Sequence, residues 1–145
     1  SHYNLILSDR LSHLEYLMKH LPKELRDKSV MVDGKMTSKK GKAQREKAIE
    51  DMRAGKKHFL FATYALAKEG LDIPRLDRLY LVTPQKDYAV IAQSVGRVAR
   101  TFEGKVTPVV YDYVDNGIQY LVRSFKKRCT TYRKLGCHWL EEAVM

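Results

Sequence analysis

No apolar run in this chain of 145 residues approaches the roughly 20 that a membrane-spanning helix needs. The opening residues, SHYNLILSDR, lack the basic flank and the long apolar core of a signal peptide. No initiator Met precedes them, and Ser1-His2 reads as a cloning remnant, which points to an excised piece of a longer chain. Cysteine is scarce. Cys129 and Cys137 make no disulfide framework, and with His138 they have neither a zinc spacing nor a fourth ligand. No metal site is expected; reduced, unpaired thiols in a cytoplasmic protein are. Internal repeats and low-complexity linkers are missing too, so the length argues for a single domain. Acid is in short supply: 17 Asp and Glu face 27 Lys and Arg, leaving +10. Such a balance favours a polyanionic partner, although a basic surface also serves solubility.

What is present is an alternation of short apolar runs and helical patterns. Leu5-Ile6-Leu7 predicts a buried strand, with Ser8 or Asp9 as N-cap of a helix carrying Leu11, Leu14, Leu17, Met18 and Leu21, stopped by Pro22. Ser29–Val32 predicts a second strand closed by Asp33-Gly34. A polar, basic helix follows from Ser38 to Ala54, with Ala43, Ala48, Ile49 and Met52 on its apolar side and Gly55 as its end. His58–Ala62 is the third strand, and a short helical piece, Tyr64 to Lys68, leads into Gly70. Leu79–Val82 is the fourth strand, Tyr88 to Arg100 a helix capped by Asp87, Val106–Tyr113 the fifth strand. From Gly117 a long helix runs to Leu135, with Ile118, Leu121, Val122, Phe125, Cys129 and Tyr132 on one face. Continuous apolar strands separated by helices argue for an α/β fold with a parallel sheet covered on both faces. Ligands in such folds gather at the carboxyl ends of the strands, here Ser8-Asp9-Arg10, Asp33-Gly34-Lys35, Thr63-Tyr64, Thr83-Pro84 and Asp115-Asn116.

The helix from Tyr88 ends in QSVGRVAR, residues 93–100. At 100° per residue, Gln93, Arg97 and Arg100 fall within about 60° of one another. Tyr88, Ile91, Ala92, Val95, Val98 and Ala99 take the opposite, packing side. Gly96 stands beside the arginines, where it costs helix stability of about 1 kcal/mol against Ala and leaves room for a close approach. A solvated basic face explains this segment as well as a phosphate-directed one does, for which the arginine fork is suited.

Residues 59–74, FLFATYALAKEGLDIP, join an apolar strand to Ala-Thr and then to Gly-Leu-Asp-Ile-Pro. Followed about 20 residues later by QSVGRVAR, this pair resembles motifs V and VI of superfamily 2 (DEAD/DEAH-like) helicases, in order and at the usual separation. The likeness covers roughly residues 4–113 and is most like bacterial or phage DNA-processing helicases. It implies a RecA-like three-layer fold, a mostly parallel central sheet with helices on both faces. It also implies that Arg97 and Arg100 reach across a cleft to the phosphates of ATP, at least one as an arginine finger, an effect worth about 10³–10⁵ in rate. Gln93 would hold the nucleotide-dependent interface, Asp72 would accept from the ribose or the closing cleft, and Gly70 would permit close approach. Thr63, with Ser8 and Arg10, would contact the nucleic-acid backbone. The residues alone also allow Asp72 as a turn-stabilising carboxylate before Ile73-Pro74, and Thr63 as a helix N-cap.

An ATPase of this kind needs a phosphate loop, G-x-x-x-x-G-K-[ST], and an acidic Mg²⁺ motif. The stretch Gly34 to Ala43 imitates the loop but spaces its glycines by six residues and ends on Ala43 where a hydroxyl must stand. No Asp-Glu-x-His or Asp-Glu-x-Asp occurs. The expectation is therefore the second RecA-like lobe alone, the first lobe being its partner. ATP and Mg²⁺ would act in the full-length protein, and neither would be held tightly here. Residues 1–2 are the remnant, 3–116 the lobe, and 117–145 a helical extension packed on it. A monomer that binds nucleic acid, DNA rather than RNA, and no membrane completes the expectation. Two rivals are a non-catalytic basic α/β nucleic-acid-binding module and a self-contained nucleotide-binding enzyme; the missing phosphate loop speaks against the second.

Overall fold

A computed structural model describes residues 2–33, 38–67, 71–85, 87–100, 102–113 and 117–139. Gly70, Lys35 and the Asp115-Asn116 pair lie outside them. Five strands, β1 (Asn4–Ser8), β2 (Ser29–Val32), β3 (Phe59–Thr63), β4 (Arg78–Leu81) and β5 (Val109–Asp112), form one sheet in the order β2-β3-β1-β4-β5. Every pairing is parallel, with Ser8 beside Thr63, Leu7 beside Leu81, and Leu81 beside Asp112. The helices are α1 (Leu11–Lys19), α2 (Lys23–Arg26), α3 (Lys39–Arg53), α4 (Tyr64–Ala67), α5 (Tyr88–Val98) and α6 (Gln119–Lys134).

Alternation along the strands divides the core. Ile6 and Phe61 point to one face and pack with Leu14, Leu17 and Met18 of α1. Leu5, Leu7, Leu60, Ala62, Leu79 and Leu81 point to the other, against Ala48, Ile49 and Met52 of α3 and Val90, Ile91, Val95 and Val98 of α5. Both faces are apolar because both are covered, which is why each strand reads as an uninterrupted hydrophobic run. This is the RecA-like α/β architecture.

Several local expectations need correction. The N-cap of α1 is Arg10, not Ser8 or Asp9; Ser8 acts one turn earlier, its hydroxyl accepting the Arg10 N–H at 3.1 Å. Pro22 ends α1 but also starts α2, a turn with no buried side chain and therefore no periodic signal. On α3, Gly41 is buried and Ala43 exposed, the reverse of the apolar spacing. Gly55 does close α3, with φ +77°, and a Cβ there would lie 2.8 Å from Arg75 Nη1. The fifth strand starts at Val109 rather than Val106, since Pro108 has no N–H to give to a ladder.

The ends of the chain's two most informative helices also differ from the pattern. α5 stops at Val98, so Arg100 stands beyond the helix. Tyr88 and Ala99, assigned to the packing side, are exposed. Tyr88 lies under the Lys134 ammonium, 5.5 Å from the ring centre, and Ser94 is buried, its hydroxyl satisfied by Val90 O at 2.7 Å. On α6 the buried residues are Ser124, Arg128, Thr131 and Tyr132, while Ile118 and Tyr120 are exposed.

Candidate functional site

The residues singled out by pattern assemble at two opposite ends of the sheet, not one. At the carboxyl ends, parallel register puts Ser8 and Thr63 side by side. Ser8 is fully buried, and its hydroxyl is taken by Arg10 N and by His13 Nδ1 at 3.3 Å. It therefore sets the turn that presents Arg10, which is exposed. Thr83 fastens the neighbouring strand end: its hydroxyl accepts the Asp9 N–H at 3.0 Å and its carbonyl accepts the Tyr64 hydroxyl at 2.8 Å. Burial pushes the Tyr64 phenol up, so it remains a donor. A groove of about 420 Å³ opens here, lined by Arg10, Ser12, His13, Tyr16, Thr83 and Pro84 among others. Thr63 is half-buried and stands immediately before α4.

The arginine set lies toward the amino ends. α5 begins after β4 and runs back down the sheet, about 16 Å over its 11 residues. Gln93 is exposed and Arg97 half-buried along it. Arg100, past the C-terminus, forms an ion pair with Asp72 through Nη1 and Oδ1, both side chains about half exposed. Asp72 is further held by its carbonyl, which accepts from Arg53 Nε at 2.7 Å. The Asp72 segment continues to Asp77, whose carboxylate accepts the Tyr3 N–H at 2.7 Å at the start of β1. The two motif-bearing segments thus meet at one point, but at the far end of the molecule from Ser8 and Thr63.

Sequence reasoning missed the residue that joins them. Lys105 Nζ donates to Pro74 O at 3.1 Å, to Val98 O at 2.6 Å, and to Arg100 O. Val98 and Arg100 carbonyls are those a continuing helix would have bonded to residues further on, so the ammonium replaces the missing turn. Burial lowers the Lys105 pKa, with Asp77 opposing and Arg100 assisting. Nothing in the local pattern of Glu103-Gly104-Lys105 announces this, because all three carbonyl partners are chosen by the fold.

A second unforeseen group supports the other end. Arg128, only 2% exposed, grips Asp112 at the end of β5 in a bidentate pair, Nε–Oδ2 2.6 Å and Nη2–Oδ1 2.8 Å. Its remaining donors reach Gln85 O at 3.0 Å and Ser124 Oγ at 3.1 Å, and the Tyr132 hydroxyl donates to Asp112. Burial opposes the charge on Arg128, but the Asp112 carboxylate outweighs it and raises the pKa. Arg128, preceded in sequence by Lys126 and Lys127, is thus a core residue. Tyr132 is core as expected.

Phosphate oxygens ask for cationic donors at an accessible edge, and Arg100, exposed and held by a carboxylate it can exchange, fits that requirement. A divalent ion asks for converging oxygens. Among the described residues no group of three or more His, Cys, Asp or Glu converges to supply them. Cys129 and Cys137 are free thiols, each half-buried.

Residues 2–102 match the model of the helicase conserved C-terminal domain. A protein named as helicase 22 of Sulfolobus islandicus filamentous virus is 32% identical over 111 residues, covering 77% of this chain and 20% of that protein. UvrABC system protein B of Bacillus licheniformis is 31% identical over 91 residues, covering 59% of this chain and 13% of that protein. The chain thus spans between 13% and 20% of the length of these curated relatives. In fold it is similar to the C-terminal domain of the DEAD-box protein Dbp5, with a TM-score of 0.68 at 21% identity, covering 93% of this chain and 71% of that one. A DEAD box protein from the hyperthermophile Methanococcus jannaschii gives 0.67 at 20% identity, over 95% of this chain and 34% of that one. With a five-stranded parallel sheet and two-thirds of its length matched by the family model, this chain belongs to the C-terminal domain family of superfamily 2 helicases.

Proposed function

We propose that this chain is the second motor lobe of an ATP-dependent nucleic-acid helicase or translocase, residues 3–116 forming the lobe and 117–145 a helical extension on it. Arg97 and Arg100 serve ATP held by an N-terminal lobe of the same protein. Bound there, ATP supplies the phosphoanhydride whose cleavage drives the cycle. Arg100 waits in its ion pair with Asp72 and exchanges that carboxylate for phosphate oxygens as the lobes close, which frees Asp72 to accept a hydrogen bond from the ribose. Gln93 steadies the interface from the exposed side of α5, and Gly70 permits a close approach. At the opposite end Arg10 and Thr63 hold the nucleic-acid backbone, DNA in preference to RNA, with Ser8 setting the turn behind Arg10.

The observation that carries this reading is the ion pair of Asp72 and Arg100, two residues from separate motifs, whose segments one ammonium also ties together through Pro74 O and Arg100 O. Arg97→Ala and Arg100→Ala in the full-length protein are expected to cut nucleic-acid-stimulated ATP turnover by about 10³-fold. Their melting temperatures should stay near that of the wild type, because neither side chain is buried in the core. Near-normal turnover in both variants would overturn the assignment.

A further inference from the structure

Six cations lie on α6 and its capping residues, and the helix carries no acid. The fold sorts them. Arg128 is withdrawn into the pair with Asp112, while Arg123, Lys126, Lys127, Arg133 and Lys134 are all exposed. Their spacing of three, four and seven residues puts them on one stripe, opposite the buried Ser124, Arg128, Thr131 and Tyr132. Among the described residues none of the five is in an ion pair with an acid; Arg133 bonds Cys129 O and Lys134 rests over Tyr88.

We infer that this stripe is a binding surface for the phosphate backbone of a nucleic acid, continuous with the strand-end surface that carries Arg10 and Thr63. Position argues for it first. Arg128 ties α6 to Gln85 after β4 and to Asp112 at the end of β5. Asp112 is in register with Leu81, and Leu81 with Leu7, the residue before Ser8. Two strand spacings, about 10 Å, therefore separate the α6 anchor from the end of β1. Length argues next. From Arg123 to Lys134 the helix rises about 16 Å, the axial span of about five nucleotides of one strand. The anchoring itself is the third argument. A bidentate, fully enclosed ion pair fixes the helix about its own axis, so the remaining charges keep one direction. Lipid phosphates fit the stripe less well, because the side of α6 that would enter a bilayer is already spent on α5 and on Asp112.

The test uses two triple variants of the chain with equal loss of charge. Arg123→Gln, Lys126→Gln and Lys127→Gln clear the stripe; Lys19→Gln, Arg26→Gln and Lys28→Gln remove three exposed cations near the amino end of β2. Binding of a fluorescent 20-nucleotide strand and of a 20-base-pair duplex, probe lengths of about four times the stripe's span, is followed by anisotropy across a salt series. For the stripe variant the slope of log affinity against log salt should become shallower by about two to three, with about 10-fold weaker binding at low salt. The control variant should retain the wild-type slope. An unchanged slope in the stripe variant, or an equal change in both variants, overturns the inference. So does loss of binding to phosphatidylserine vesicles with nucleic-acid binding intact. The inference stands apart from the arginine-finger reading: normal turnover in Arg100→Ala would defeat that reading and leave this slope untouched.

Discussion

At the scale of single residues, Lys105 and Gly96 decide how the arginines are held and approached. Removing an ammonium that donates to three carbonyls leaves those oxygens at a frayed helix end with poorer partners. Lys105→Met is expected to lower stability by about 2 kcal/mol, read as a lower urea midpoint with unchanged m. Lys105→Arg should recover only part of it, because a planar fork cannot converge on three oxygens around one nitrogen. A full recovery by arginine would mean that charge, not convergence, matters. Gly96 is the opposite case. A Cβ built there meets nothing within 4 Å, so the glycine is unnecessary for packing within the described residues. Gly96→Ala should raise the melting temperature by about 3 °C, from about 1 kcal/mol of helix propensity. If the same variant turns over ATP more slowly in the full-length protein, the vacancy beside Arg97 serves another chain segment; calorimetry showing a lower melting temperature would sink the reading.

At the scale of elements, α5 and α6 show how one sequence pattern serves two purposes. The apolar face of α5, Val90, Ile91, Val95 and Val98, packs on the sheet at the expected spacing. Its end was misread, because a helix stops where its carbonyls find better donors, and Lys105 lies in the following turn. On α6 the deciding partner is likewise remote in sequence. A cation in a basic run reads as solvated until a carboxylate is found to meet it, and Asp112 comes from a strand 16 residues earlier. Arg128→Met should cost about 3–5 kcal/mol, since it strands the Asp112 carboxylate beside Tyr132 alone. Adding Asp112→Leu should restore most of the loss, because the buried charge goes as well. Chemical denaturation of the single and double variants measures both. A double variant less stable than Arg128→Met would show that the pair contributes net stability of its own.

At the scale of the whole molecule, the separation of the two residue sets matters most. Arg10 and Thr63 stand at the carboxyl ends of the strands, and Asp72 and Arg100 near the amino ends, joined by α5 and by the segment after α4. The net charge of +10 is distributed in keeping with this. A cationic stripe on α6 flanks one end, while the arginines at the other are partly matched by Asp72 and Glu50.

Strand number, the covered sheet and the family were all legible in the chain, because hydrophobic runs and the spacing of GLDIP and QSVGRVAR are local properties. The stripe of Gln93 and Arg97 was legible for the same reason, being set by helical period alone. Only the tertiary structure decided which charges are spent and which remain. Arg128 is drawn inward by a carboxylate 16 residues away, Lys105 by carbonyls that include one 31 residues away, and Arg100 is placed on Asp72, 28 residues away. Periodicity tells which way a side chain points from its own helix. What it meets there depends on which other segments the fold has brought to the same place.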